Sequence, residues 1–353
     1  MITMPVYPLT FLAAVLEQNH QPLRLREVTF NGPLEPGQVL VRVHYSGICG
    51  KQLEEIDAQK GPDPFLPHLL GHEGSGVVMD IGPGVRKVKP GDLVVMHWLK
   101  GSGIDAVTPL YAHGDRRVNA GWITTFNEFA VVSENRITPV AAETDLSAAC
   151  LLGCAVTTGV GVVLNELNLK PGQSVAVFGC GGVGLNTIQG AVLAGCDPII
   201  AVDPSAVNRA MAIQFGATHE VDPTALDATL EVRRFTGGRG AEAVVVATNN
   251  TSGVETAVEA SSLPGIVILV GVPPSTKIQV DPFAIHCRRT LTGSYGGGAV
   301  PDRDIPAYLG LYKQGRLRLK ELISLEVTLD RINEGILAMR EGKPGRCVVR
   351  MVM

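Results

Sequence analysis

Hydrophobic and polar positions alternate along the first third of the chain. From Gly37 to His44 the sequence Gly-Gln-Val-Leu-Val-Arg-Val-His puts Val39, Val41 and Val43 on one face, which predicts a half-buried strand. Short runs of the same kind follow at Gly76–Val78, Leu93–Met96 and Glu128–Val132, separated by turns such as Pro83-Gly84 and Pro90-Gly91-Asp92. They predict an all-β, barrel-like region. After Cys154 the pattern changes. Ser174–Phe178, Ile199–Val202, Ala243–Ala247 and Ile266–Val270 are short, apolar throughout and separated by helical segments. Strands that are apolar on both faces and alternate with helices predict a doubly wound parallel sheet. Beyond about Gly293 the segments are mixed again and are expected to complete the first region. The expected division is 1–155 with 295–353 for the barrel domain and 156–294 for the parallel-sheet domain.

The turn after the first apolar strand reads Gly179-Cys180-Gly181-Gly182-Val183-Gly184, a G-x-G-x-x-G pattern that leads into a helix beginning near Val183. Glycines there permit a tight turn and let a pyrophosphate approach backbone N–H groups at the positive end of the helix. Asp203 follows Gly184 by 19 residues and ends the next strand. Its carboxylate can accept from the adenosine ribose hydroxyls and would repel a 2′-phosphate, so NAD(H) is favoured over NADP(H). Arg209 either reaches the adenosine ribose or phosphate edge or is an exposed helix arginine.

Three residues upstream suggest a metal site. Cys49 lies in Gly47-Ile48-Cys49-Gly50, His72 in Gly71-His72-Glu73-Gly74, and Cys154 in Leu152-Gly153-Cys154-Ala155. Two thiolates and an imidazole leave a tetrahedral zinc one open position, as catalytic zinc is held. The ligands are far apart in sequence, so a fold must assemble the site. Cys150, four residues before Cys154, is a rival third ligand or a packing residue.

With the glycine turn, these segments resemble the zinc-dependent alcohol dehydrogenase family of the medium-chain dehydrogenase/reductase superfamily, from about Phe11 to the C-terminus. Gly71-His72-Glu73-Gly74-Ser75-Gly76-Val77-Val78 resembles the family's zinc signature, and Gly153-Cys154-Ala155-Val156-Thr157-Thr158-Gly159 its third-ligand segment. The resemblance implies a GroES-like β-barrel catalytic domain and a Rossmann domain, and interconversion of an alcohol with a ketone or aldehyde. It also implies a homodimer or homotetramer. It assigns Thr158 to the nicotinamide, gives Glu73 a transient approach to the metal, and makes Arg346 either a pyrophosphate partner or a solvated loop arginine. Gly179, Gly181, Gly182, Val183 and Gly184 carry the phosphate turn.

Two departures from the family pattern change the expectation. Many relatives bind a second, structural zinc through four closely spaced cysteines, but Leu99–Gly121 contains none, so one catalytic zinc per chain is expected. That stretch, which includes His113, Asp115, Arg116 and Arg117, reads as a polar loop near a substrate entrance or a subunit contact. Relatives also follow the first cysteine with a hydroxyl residue, an aspartate and often a histidine; here Lys51, Gln52 and Glu54 stand there. Gln52 can accept a hydrogen bond from His72. Lys51, with a pKa depressed by zinc, either relays a proton toward Glu54, holds a hydroxyl-rich or anionic substrate group, or faces solvent. These residues hint at a polyol, sugar or cyclitol.

The 353 residues are 45% hydrophobic, 18% charged and 5% aromatic, which fits a two-domain α/β enzyme. A net charge of −4 gives no reason to expect nucleic acid or an anionic membrane as partner. The start shows no leader pattern, no apolar run approaches a membrane span, and the seven cysteines have no regular spacing. The expectation is a cytoplasmic enzyme acting on a small molecule. Two alternatives remain: a zinc-free quinone or enone reductase on the same scaffold, and a catalytically silent cofactor-binding protein.

Overall fold

In the computed structural model, which describes residues 5–271 and 277–351, the chain forms two compact units. One is drawn from Met1–Cys154, Val300–Gln314 and Leu319–Met353, the other from Ala155–Ala299 and Gly315–Arg318.

The spine of the first unit is the strand Gln38–Gly47, which pairs antiparallel with Glu73–Ile81, Phe129–Ser133 and Arg346–Arg350. Beside this sheet, Leu9–Leu16, Arg24–Phe30, Leu110–His113, Arg116–Asn119 and His68–Leu69 close a small barrel. The spine strand is not half-buried as its alternation predicted. Val39, Val41 and Val43 enter one core with Ile48, Val78, Met96 and Phe126, while Leu40 enters a second with Phe11, Val28, Tyr111 and Val131. Two apolar layers sandwich it, and each such buried side chain contributes about 1.5–3 kcal/mol.

The expected polar loop at Leu99–Gly121 contains a hairpin instead. Tyr111 and Val118 are its buried positions, and the Tyr111 hydroxyl accepts from Val131 N–H at 3.0 Å. Asn119 then grips the segment before His72: its amide donates to Phe65 O at 2.7 Å and its N–H to Pro67 O at 2.9 Å.

The second unit is a six-stranded parallel sheet. Across it lie His219–Val221, Ile199–Val202, Val175–Phe178, Ala241–Val246, Ser261–Leu269 and Arg289–Gly293. By sequence this is the order 3-2-1-4-5-6 of a Rossmann fold. Helix Gly182–Ala194 follows the central strand. Its packing needs glycine at 184, where a Cβ would lie 1.9 Å from Gly179 O. No single helix among the described residues is long and apolar enough to cross a membrane.

Candidate metal and cofactor sites

Three local structures deliver the metal-ligand candidates. Cys49 caps the short helix Gly50–Ile56, His72 lies between the strands His68–Leu69 and Glu73–Ile81, and Cys154 follows the 3-10 turn Cys150–Gly153. Their ligand atoms lie within 4.8 Å of one another, the one such cluster found among the described residues. His72 Nε2 is buried with no hydrogen-bond partner. Cys154 first, and then His72, hold the Cys49 thiol well below its ordinary pKa, against the opposing effect of burial. An imidazole nitrogen left unpartnered and a thiol that ionises readily fit a divalent zinc. The rival Cys150 points elsewhere: its thiol donates to Ser147 O at 3.1 Å, and burial pushes its pKa up. His113 is engaged at Nδ1 by Glu27 O, at 2.8 Å, and Arg116 and Arg117 are exposed on the hairpin.

Glu73 sits behind the cluster, fully buried. Glycine at 153 makes room for it, since a Cβ there would meet Met96 O at 2.3 Å and Glu73 Cβ at 2.7 Å. Ser46 Oγ and Thr125 Oγ1 donate to the Glu73 carbonyl at 3.0 and 3.2 Å. Its carboxylate pairs with Arg346, which is itself buried. Arg346 is therefore not a solvated loop arginine. Its buried Nε has no hydrogen-bond partner.

The substituted positions after Cys49 form three contacts. Lys51 Nζ lies 2.8 Å from Glu54 Oε2. Burial lowers the lysine pKa, but hydrogen bonding and attraction to Glu54 outweigh it, and the net shift is upward. Gln52 departs from expectation. Its oxygen accepts from Cys49 N–H at 2.8 Å and its amide nitrogen lies 2.6 Å from His72 Nδ1. So oriented, Gln52 donates to His72 rather than accepting. A half-turn of the amide, exchanging oxygen and nitrogen, is required for Nδ1–H to donate and free the Nε2 lone pair for a metal.

In the second unit, Asp203 is buried at the end of strand Ile199–Val202. Its Oδ2 accepts from Cys180 N–H at 2.7 Å, and its Oδ1 from Ser205 N–H at 2.8 Å and from Asn208 Nδ2 at 3.2 Å. Asn208 was not singled out from the sequence; its place five residues after Asp203, in a helix capped by Ser205, was the available signal. Arg209 is neither free nor exposed. It donates to Asp203 O at 2.7 Å and Pro204 O at 3.0 Å, and pairs with Asp222 at 3.0 Å. The Thr158 hydroxyl is buried without a partner. An unspent hydroxyl, a glycine turn at a helix N-terminus and a fixed carboxylate fit a dinucleotide.

Comparison with known proteins gives the class. Residues 35–142 match the alcohol dehydrogenase GroES-like domain, and residues 182–314 the zinc-binding dehydrogenase family. The chain is 32% identical over 372 residues to alcohol dehydrogenase class-3 of Cereibacter sphaeroides, covering 96% of this chain and 98% of the relative. It is 32% identical over 369 residues to the NDMA-dependent alcohol dehydrogenase of Amycolatopsis methanolica, with the same coverage. Among solved structures, benzyl alcohol dehydrogenase from Acinetobacter calcoaceticus superposes with a TM-score of 0.88 at 26% identity, over 98% of this chain and 100% of that one. The chain belongs to the zinc-type alcohol dehydrogenase family of the medium-chain dehydrogenase/reductase superfamily. It is an oxidoreductase acting on CH–OH groups, and membership implies zinc and a nicotinamide cofactor.

Proposed function

We propose that this chain is an NAD(H)-linked dehydrogenase with one zinc per chain, held by Cys49, His72 and Cys154, that interconverts a hydroxyl-rich alcohol and its ketone or aldehyde. The observation that carries the proposal is the cluster of three ligand atoms within 4.8 Å, with His72 Nε2 unpartnered. Zinc there supplies Lewis acidity to the substrate oxygen, and the nicotinamide carries the hydride. The rest falls to the chain. Gly179, Gly181, Gly182, Val183 and Gly184 present backbone N–H groups to the pyrophosphate, Asp203 accepts from the ribose, Thr158 meets the nicotinamide, and Arg346 meets a phosphate oxygen. Glu73 and Arg346 fix each other behind the ligands.

Lys51 and Glu54 define the substrate class in this reading. An ammonium donates three hydrogen bonds and accepts none, so Lys51, ion-paired with Glu54 at 2.8 Å, has donors to offer substrate hydroxyls. Its carboxylate partner accepts from the same kind of group. A polyol, sugar or cyclitol offers both. The resemblance further implies a homodimer or homotetramer, and the composition and cysteine usage favour a cytoplasmic location.

The test is metal content on protein purified without added zinc, followed by a panel of alcohols with NAD+. One zinc per chain and turnover of polyhydroxylated substrates support the proposal. A metal-free chain that still reduces enones, or turnover of short aliphatic alcohols only, overturns it.

A further inference from the structure

We propose that Asp222 sets the cofactor preference of this chain by withholding Arg209 from a 2′-phosphate. The inference rests on the reading of Gly179–Gly184 and Asp203 as an NAD(H) site.

A dinucleotide whose pyrophosphate sits at the N-terminus of helix Gly182–Ala194 places its adenosine ribose at the end of the next strand, where Asp203 stands. A cation is already there. Arg209 reaches back from helix Ala206–Gln214 and donates through one terminal nitrogen to Asp203 O at 2.7 Å and Pro204 O at 3.0 Å. An arginine beside the ribose is what a site needs to accept a 2′-phosphate. This one is spent. Its other terminal nitrogen lies 3.0 Å from Asp222 Oδ2, and its Nε lies 3.9 Å from Glu220 Oε2.

Asp222 is held to this task from the other side. Its Oδ1 accepts from Thr224 N–H at 2.9 Å and from the Thr224 hydroxyl at 2.6 Å, leaving Oδ2 for the guanidinium. Asp203, Glu220 and Asp222 set three formal negative charges against the one positive charge of Arg209. A 2′-phosphate would add about −1.5 to −2 more. Asp222 acts through Arg209, so it is a positioning residue. Asp222→Asn keeps the Thr224 contacts through the amide oxygen and turns an N–H group toward the guanidinium, which frees it.

The experiment compares 5′-AMP and 2′,5′-ADP binding by calorimetry in the native chain, in Asp222→Asn and in Asp222→Asn with Arg209→Gln. The native chain is expected to bind 5′-AMP more tightly than 2′,5′-ADP. Asp222→Asn is expected to gain about tenfold for 2′,5′-ADP, equivalent to about 1.4 kcal/mol, with 5′-AMP moved by no more than about twofold. The double variant loses that gain. A native chain that binds neither 5′-AMP nor NADH, or that prefers 2′,5′-ADP, overturns the NAD(H) reading and this inference with it. Native binding of 5′-AMP with no gain in Asp222→Asn, or a gain that survives Arg209→Gln, overturns this inference alone. Should Asp222→Asn lose 5′-AMP binding, Arg209→Gln in the native chain decides. A cation already withheld can be removed with no more than about a twofold change for 2′,5′-ADP, and a tenfold loss overturns the proposal.

Discussion

Replacing Gln52 by glutamate should tighten zinc binding. Gln52 is almost fully buried, with its oxygen 2.8 Å from Cys49 N and its amide nitrogen 2.6 Å from His72 Nδ1. Metal binding at His72 Nε2 requires the ring proton on Nδ1, so the amide must turn its oxygen to the ring. That turn gives up the hydrogen bond to Cys49 N–H, a net loss of about 1 kcal/mol. A carboxylate of the same length has acceptor oxygens for both donors and needs no turn. A hydrogen bond to a charged acceptor adds about 1 kcal/mol over a neutral one. Together the two effects are about 2 kcal/mol, or between ten and a hundredfold, which is the range found when partners behind metal-bound histidines are changed. The assay is competition with a chromophoric zinc chelator on metal-stripped protein, with Gln52→Ala as the variant that should bind more weakly than native. Zinc binding by Gln52→Glu no tighter than native would refute the argument.

Other predictions test separate parts of the structure. His97 is buried, bonded to Leu99 O at 2.7 Å and Thr138 Oγ1 at 3.0 Å, and burial pushes its pKa down to about 4. A depressed native pKa means stability that is full above the unfolded value of about 6.5 and lost as pH falls toward about 4, amounting to about 3 kcal/mol. Urea unfolding across that window should show a shallower loss in His97→Gln, and parallel curves would count against it. Gly153→Ala, with its Cβ forced against Met96 O and Glu73 Cβ, should cost about 2–4 kcal/mol and reduce zinc content, read by thermal unfolding and metal analysis. Cys154→Ser should lose zinc while NADH fluorescence titration stays near native. Lys51→Met should raise KM for polyols more than it lowers kcat, and an equal fall in kcat for every alcohol would contradict a substrate-holding role.

How far the sequence could be read depends on where the information lies. The four inner strands of the parallel sheet were legible because each carries a run that is apolar on both faces, whereas the edge strands His219–Val221 and Arg289–Gly293 carry polar residues and were not. The metal cluster was legible because few residue types bind zinc and each stood in a recognisable neighbourhood. The hairpin at Leu110–Asn119 was not, since Tyr111 and Val118 are its only buried positions and the rest reads as loop. Burial of Leu40 was hidden because alternation reports one face, and nothing local announces a second layer. The Glu73–Arg346 pair spans 273 residues, beyond any spacing rule. Arg209 shows a deeper limit. Its position after the strand suggested a group able to reach the cofactor, but its donors point to Asp203 O, Pro204 O and Asp222. Gln52 is alike: its amide can serve His72 or Cys49 with the right atom, but not both. A sequence lists which donors and acceptors exist. Which of them remain unspent is fixed by geometry, and in a dehydrogenase it is the unspent ones that choose metal, cofactor and substrate.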